Sequence, residues 1–135
     1  DAKQRGFDEA ILLDQSGNVS EAPGENIFLV KNNRLVTPPL SSSALDGITR
    51  KSIITLAKDM KLKIKVRKVS KKELRIADEI FLSGTAAEIT PIIKVDKTKI
   101  GNGKVGNITR LFMDTYSDIV MNKNENHSNW LTAVY

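Results

Sequence analysis

The chain has 135 residues, with 21 Lys plus Arg against 16 Asp plus Glu for a formal net charge of +5, 40% apolar residues, no Cys and a single His. That length suits one modest globular domain, able to bury about two thirds of its unfolded surface without covalent staples. The absence of cysteine excludes disulfides, thiolate metal sites and a cysteine nucleophile; with His127 the sole histidine, a two-histidine metal motif is excluded and a Ser-His-Asp triad would have to draw on an Asn-rich tail.

In chain order, residues 7–13, Phe-Asp-Glu-Ala-Ile-Leu-Leu, read as a strand running into a turn at Ser16, Gly17 and Asn18. A second strand is expected at 26–31 and a third at 34–37, joined by an Asn32-Asn33 turn into a short meander. Thr37-Pro38-Pro39 stops this ladder, because proline offers no donor and holds its predecessor extended. A serine run then leads to Asp46, a candidate N-cap, and to a helix from about Gly47 to Lys61 with Ile53, Leu56, Ala57 and Met60 on one face. Lys63, Lys65 and Arg67 alternate with Ile64 and Val66, the period of a half-buried strand with one wet face. Ser70 and Glu73 have capping-box spacing for a short helix. Strands follow at 79–83, ending in Gly84-Thr85-Ala86-Ala87, and at about Ile89 to Val95. From Asn107 onward Ile108, Leu111, Phe112, Thr115, Tyr116 and Ile119 recur at helical spacing, so an amphipathic helix is expected. Asn122 to Asn129 read as a loop, with Trp130-Leu131 able to tuck the tail back. No repeat or long linker divides the chain, and one mixed α/β domain is the economical architecture.

The net charge invites a nucleic-acid reading, since Lys58, Lys61, Lys63, Lys65, Arg67, Lys68, Lys71 and Lys72 crowd one stretch. Their alternation with apolar residues instead describes a solvated surface, and no aromatic is interleaved to stack on bases. No apolar run approaches the roughly 18 residues of a membrane span, and residues 1–15 lack a secretory apolar block, so a soluble, cytoplasmic protein without membrane or nucleic-acid partners is expected. The opening Asp1 and the charged stretch after it resemble the end of a helix, and a piece of something longer is expected.

Gly101, Gly103 and Gly106 spell G-x-G-x-x-G ahead of a helix, nominally a dinucleotide fingerprint. The context fails, because Lys97 to Ile100 is too polar for a central parallel strand and no second strand with a ribose-binding acid follows. A tight turn and a close backbone approach account for these glycines better than NAD does.

Three other segments make sense together. Glu21 lies in Ser20-Glu21-Ala22-Pro23-Gly24-Glu25-Asn26-Ile27-Phe28, a turn-rich stretch leading into a strand. Asp46-Gly47-Ile48-Thr49-Arg50 opens a helix, where free amides, the positive end of the dipole and the Thr49 hydroxyl suit an anion. Gly84-Thr85-Ala86-Ala87 adds a hydroxyl and small side chains that let backbone amides approach a bound group. The run Glu21 to Phe28, then Leu35-Val36-Thr37 and Leu45-Asp46-Gly47-Ile48-Thr49-Arg50, resembles the signature of the class IV (fold type IV) pyridoxal-phosphate aminotransferases. Thr37-Pro38-Pro39, Ser83 to Pro91, Gly101-Asn102-Gly103 and Trp130-Leu131-Thr132 resemble the branched-chain members, and the resemblance covers nearly the whole chain. Ala22 stands where the family usually has Gly, and Asp46 where it usually has Pro.

The resemblance implies a mixed α/β fold, the C-terminal large domain of a fold type IV aminotransferase, with a mixed sheet or pseudo-barrel and flanking helices. It implies pyridoxal 5'-phosphate as cofactor. Glu21 would pair with the pyridine nitrogen, Leu45 would pack on the ring face, Gly47, Ile48 and Thr49 would hold the phosphate with a second hydroxyl from Thr85, and the amides at Ala86 and Ala87 would receive the substrate carboxylate. Arg50 is left out, since its side chain at this point of a helix can equally face solvent. The family's Schiff-base lysine lies in a segment preceding the one that matches Asp1 to Asp8, and an N-terminal domain supplies an arginine for the phosphate. Residues 1–135 are therefore expected to be the cofactor-binding domain of a two-domain enzyme, without a catalytic residue of their own and inactive alone. The implied reaction moves the amine of leucine, isoleucine or valine to 2-oxoglutarate, in a homo-oligomer. D-Amino-acid aminotransferases and aminodeoxychorismate lyases share the fold and remain alternatives, as does a non-catalytic basic domain for an anionic partner.

Overall fold

The computed structural model describes residues 11–22, 25–39, 48–84 and 88–120. Seven strands form the main sheet: β1 (Leu12–Leu13), β2 (Val19–Ala22), β3 (Glu25–Lys31), β4 (Arg34–Thr37), β5 (Ile64–Val66), β6 (Glu79–Gly84) and β7 (Glu88–Ile92). A separate two-stranded ribbon joins β8 (Lys94–Val95) to β9 (Thr98–Lys99), and the helices are α1 (Ile48–Asp59), α2 (Lys71–Ile76) and α3 (Asn107–Val120).

Everything is arranged about β3. One edge pairs with antiparallel β6 along Asn26 to Val30. The other edge is shared: β2 pairs at Glu25 and Asn26, and β4 pairs at Leu29, Val30 and Lys31. Ile27 lies between these two pairings, where its carbonyl accepts the buried Thr37 hydroxyl at 2.7 Å. A buried carbonyl left unpaired at the changeover would be costly, and the threonine supplies its donor. The β3–β4 hairpin turns on Asn32 and Asn33 with φ of 52° and 60°, the left-handed pair that a two-residue turn of this twist requires and that Asn tolerates. After β4 the chain crosses through α1 to β5, which lies parallel to β4.

Alternation along Ile27-Phe28-Leu29-Val30 sends side chains into two cores. Phe28 and Val30 join Leu35, Ile53, Leu56, Ala57, Phe81, Ile89, Ile108 and Phe112 under α1 and α3. Ile27 and Leu29 join Val19, Ala22, Val69, Leu74, Ile80, Leu82 and Ile100 on the opposite face. Phe28 and Phe81, directly paired across β3 and β6, stack at 5.1 Å, and Phe81 meets Phe112 of α3 at 5.6 Å.

Several expectations change. Residues Val19–Ala22 form strand β2, with a register shift against β1, so Glu21 sits within a strand and not in a turn leading to one. The strand expected over Ile89 to Val95 breaks at Ile93, because Lys94 and Val95 pair with β9. Val66 is 49% exposed on its edge strand, leaving Ile64 alone to pack against the core. On α3 the buried stripe is Ile108, Thr109 and Phe112, with Met113 and Tyr116 packed beside it, whereas Leu111 is 43% exposed. Residues 7–10 of the first expected strand, the Asp46 cap and the tail from 121 onward lie outside the described residues.

Two helices start on carboxylates. Ser70 N donates to Glu73 Oε2 at 2.7 Å ahead of α2, and Glu73 also meets Arg67 at 2.8 Å. At α3, Glu79 of β6 accepts from the amides of Ile108 at 3.2 Å and Thr109 at 2.7 Å. Gly106 lies against the Glu79 side chain with no room for a Cβ, and a Cβ on Gly101, at φ 57°, would sit 2.5 Å from the Asp78 carbonyl. The G-x-G-x-x-G segment is thus the close approach expected of it, and the helix start that a pyrophosphate would need is already taken by a carboxylate.

Replacement Glu79→Ala in the full-length chain is expected to cost about 0.5–2 kcal/mol in urea unfolding, the range for a lost N-terminal cap. Glu73 is held below its ordinary 4.5 first by the hydrogen bond from Arg67 and then by the Ser70 amide, with partial burial opposing. Its stabilising contribution is therefore complete above about pH 4.5 and disappears as pH falls through the lower folded-state value. A Glu73→Gln variant is expected to lose less stability than the parent over that acid window when both are followed by thermal unfolding.

Candidate functional site

Strand register assembles a polar row at one end of the α1/α3 face. Glu21 stands opposite Asn26, Asn26 opposite Ser83, and Ser83 opposite Ile89. Directly paired residues project from the same side of a sheet, so Glu21, Asn26 and Ser83 share the face on which Phe28, Phe81 and Ile89 pack. Asn26 and Ser83 are buried and Glu21 is partly exposed. Among the described residues, Ser83 Oγ has no hydrogen-bond partner, an uncommon and costly condition for a buried hydroxyl.

Helix α1 borders the same core through Ile53, Leu56 and Ala57. It carries no acidic residue in its first turn and Lys58 in its last. The first amides of a helix have no intrahelical acceptor, and the dipole there favours negative charge. Thr49, in that first turn, is only 3% exposed, and its Oγ1 lies 3.4 Å from the Tyr116 hydroxyl of α3. Arg50 is 6% exposed and donates from a guanidinium nitrogen to the Pro38 carbonyl at 3.2 Å. The solvent-facing position allowed for Arg50 by its helical location is therefore not adopted. Instead the side chain ties the first turn of α1 to the end of β4, a contact that no spacing rule in the sequence announces. Ala22 is fully buried in the opposite core, so its methyl, where the family usually has Gly, is packed and does not reach the polar row.

Of the residues singled out in the sequence, Glu21 and Thr49 are placed by strand register and by the start of α1, and Ile48 is the first residue of that helix. Leu45, Gly47, Thr85, Ala86 and Ala87 lie outside the described residues, although Gly84, immediately before Thr85, ends β6 next to Ser83. Asn26 and Ser83 were not singled out as site residues. Their signal in the sequence was a polar residue at the end of each apolar strand, visible only once the strands were registered. The basic residues Lys58, Lys61, Lys63, Lys65, Lys68, Lys71 and Lys72 are exposed, as a solvated face requires. Among the described residues, no group of three or more acidic or histidine side chains is placed to hold a metal ion, and no helix is long and apolar enough to cross a membrane.

The family model for amino-transferase class IV matches residues 1–95. A probable branched-chain-amino-acid aminotransferase from Aquifex aeolicus is 45% identical over 136 residues, an alignment spanning 100% of this chain and 44% of the relative. The crystal structure of the Escherichia coli branched-chain amino acid aminotransferase superposes with a TM-score of 0.93 at 42% identity, covering 98% of this chain and 44% of that one. The Thermobaculum terrenum branched-chain amino acid aminotransferase, solved in its PLP-form, superposes with a TM-score of 0.94 at 39% identity over 97% of this chain and 43% of that one. The chain belongs to the class IV aminotransferases, and its fold is that of the branched-chain amino acid aminotransferases of fold type IV. It spans less than half the length of these relatives.

Replacing the buried Arg50 by Met in the full-length chain is expected to lower thermal stability by about 1–3 kcal/mol, the cost of leaving the Pro38 carbonyl without its charged donor. Arg50→Lys is expected to recover part of this loss. Differential scanning calorimetry of the two variants beside the parent checks both expectations.

Proposed function

We propose that residues 1–135 are the C-terminal, cofactor-binding domain of a two-domain enzyme that moves the amine of leucine, isoleucine or valine to 2-oxoglutarate with pyridoxal 5'-phosphate. The observation that carries this reading is that two features border the same α1/α3 core. One is the carboxylate of Glu21 in a polar row; the other is a helix start with a buried hydroxyl and no acidic residue in its first turn. Sequence identity of 39–45% to branched-chain aminotransferases across nearly the whole chain supports the same substrate class.

The donors and acceptors suit the cofactor. Its phosphate needs several neutral donors at a positive helix end, which the Ile48 and Thr49 amides, the Thr49 hydroxyl and Thr85 would supply. The unpartnered buried Ser83 hydroxyl beside Gly84 is the kind of group that a polar ligand nearby would satisfy. When bound, pyridoxal phosphate supplies an electron sink for the pair left at a substrate α-carbon. Glu21 would hold a proton at the pyridine nitrogen, because an adjacent carboxylate raises the proton affinity of that nitrogen. Leu45 would press on the ring face and exclude water, and Gly47 would let the backbone approach the phosphate. The amides at Ala86 and Ala87 would orient the substrate carboxylate. The lysine that moves the proton is proposed to lie upstream of Asp1, as in the family's arrangement, so residues 1–135 alone are expected to be inactive. The whole protein is proposed to be a cytoplasmic homo-oligomer, with the other half of each site coming from its N-terminal domain.

The decisive measurement uses the full-length chain loaded with pyridoxal phosphate, reduced with borohydride, with the labelled lysine mapped and leucine, isoleucine and valine offered as amine donors to 2-oxoglutarate. A label upstream of Asp1 with turnover on these donors is expected. Glu21→Ala is expected to lower kcat at least about 100-fold, roughly 3 kcal/mol of barrier, while the protein still folds. Activity confined to D-amino acids or aminodeoxychorismate would move the function to a sibling of the same fold, and failure to bind pyridoxal phosphate would overturn the proposal.

A further inference from the structure

Tyr116 of α3 stands behind the threonine at the start of α1, and its position is set by a chain of packed groups. Glu79 of β6 fixes the first turn of α3 by accepting from the amides of Ile108 and Thr109. Phe112, in contact with Phe81, fixes which face of the helix meets the sheet. Tyr116 follows Phe112 by four residues and therefore lies on the same face, packed against the core cluster, with its hydroxyl 3.4 Å from Thr49 Oγ1. Both side chains come from rigid elements, and the contact joins residues 67 apart in the chain.

We propose that Tyr116 is a positioning residue for phosphate recognition, acting through Thr49; this rests on the reading of the start of α1 as the phosphate seat. A threonine hydroxyl has one hydrogen and two lone pairs. A phosphate oxygen facing it accepts only, so Thr49 must spend its hydrogen on the phosphate and take any other bond through a lone pair. The phenol of Tyr116 is a donor at the right place to fill that lone pair. With Tyr116 donating, the Thr49 hydrogen is directed away from α3; with the opposite polarity it points at Tyr116 and is lost to the anion. At 3.4 Å the pair is longer than a good O–H···O bond, so neither polarity is strongly held until an anion selects one. A phenylalanine would pack in the same space and leave the Thr49 hydroxyl to rotate.

The test is carried out on the apo form of the full-length chain. Equilibrium dialysis gives the affinities for pyridoxal phosphate and for pyridoxal, which lacks the phosphate, and their ratio isolates phosphate recognition from folding and ring packing. Tyr116→Phe is expected to lower that ratio about fivefold with an unchanged Tm, and Thr49→Ala about 10-fold or more. In the Thr49→Ala background, Tyr116→Phe is expected to change the ratio no further, because the hydroxyl through which it acts is gone. If Thr49→Ala moves the ratio and Tyr116→Phe does not, or if Tyr116→Phe weakens both compounds equally, Tyr116 only packs and the inference falls while the phosphate seat stands. If Thr49→Ala leaves the ratio unchanged, the phosphate seat itself is misplaced and the inference falls with it.

Discussion

The rest of the structure depends on β3 being hydrogen-bonded along both edges and buried on both faces. Such a strand has no freedom of register, since a one-residue slip would carry Phe28 and Val30 into the core that holds Ile27 and Leu29. It would also separate Ile27 from the Thr37 hydroxyl that bridges the changeover from β2 to β4. Because β3 cannot slip, neither can the residues paired to it. Glu21 and Ser83 reach the same side of the sheet only because both are registered on Asn26. The polar row is thus a consequence of how the apolar residues further along the strand pack.

The three helices among the described residues differ in what meets their first amides. Helices α2 and α3 both begin on a glutamate, Glu73 and Glu79, which satisfies amides that would otherwise be orphaned. Helix α1 has no acidic residue in its first turn and has Thr49 buried there instead. A carboxylate at a helix start is the cheapest stabiliser available, and filling it removes any use of that end for an anion from solution. The G-x-G-x-x-G segment illustrates the cost of reading motif without context. Its glycines serve to let Glu79 reach the α3 amides, and so close the site they nominally advertise.

Much of this was legible in the sequence. The Asn32-Asn33 turn, the proline stop after Thr37, the helix carrying Ile53, Leu56 and Ala57, and the Ser70/Glu73 cap are local decisions made by residues a few positions apart, and they are found where expected. What was not legible depends on distant pairing. Strand β2 is short and polar at Ser20 and Glu21, with no periodicity of its own, and becomes a strand because β1 and β3 flank it. Leu111 fits a helical spacing as well as Phe112 does, and only the position of Phe81 decides which of the two is buried. The burial of Arg50 is of the same kind, fixed by a carbonyl in β4's trailing segment and not by its neighbours in α1. Within the candidate site, Glu21 and Thr49 are singled out by the resemblance, whereas the placing of Asn26, Ser83 and Tyr116 beside them depends on the assembled sheet and helices.

The distribution of charge argues for how the proposed anion would be recognised. The net charge of +5 comes from lysines and arginines, and the crowded run from Lys58 to Lys72 is spent on exposed surface around β5 and α2. Lys58 complements the dipole at the far end of α1, which strengthens the helix without touching its start. An exposed lysine is a mobile charge screened by water, and it would attract any anion about equally. Amides and hydroxyls held by a helix and a sheet end are weaker singly but fixed in direction, so they discriminate by geometry. Arg50 adds to the placing of that helix start: its buried guanidinium donates to the Pro38 carbonyl and so ties the first turn of α1, which the neutral donors share, to the end of β4.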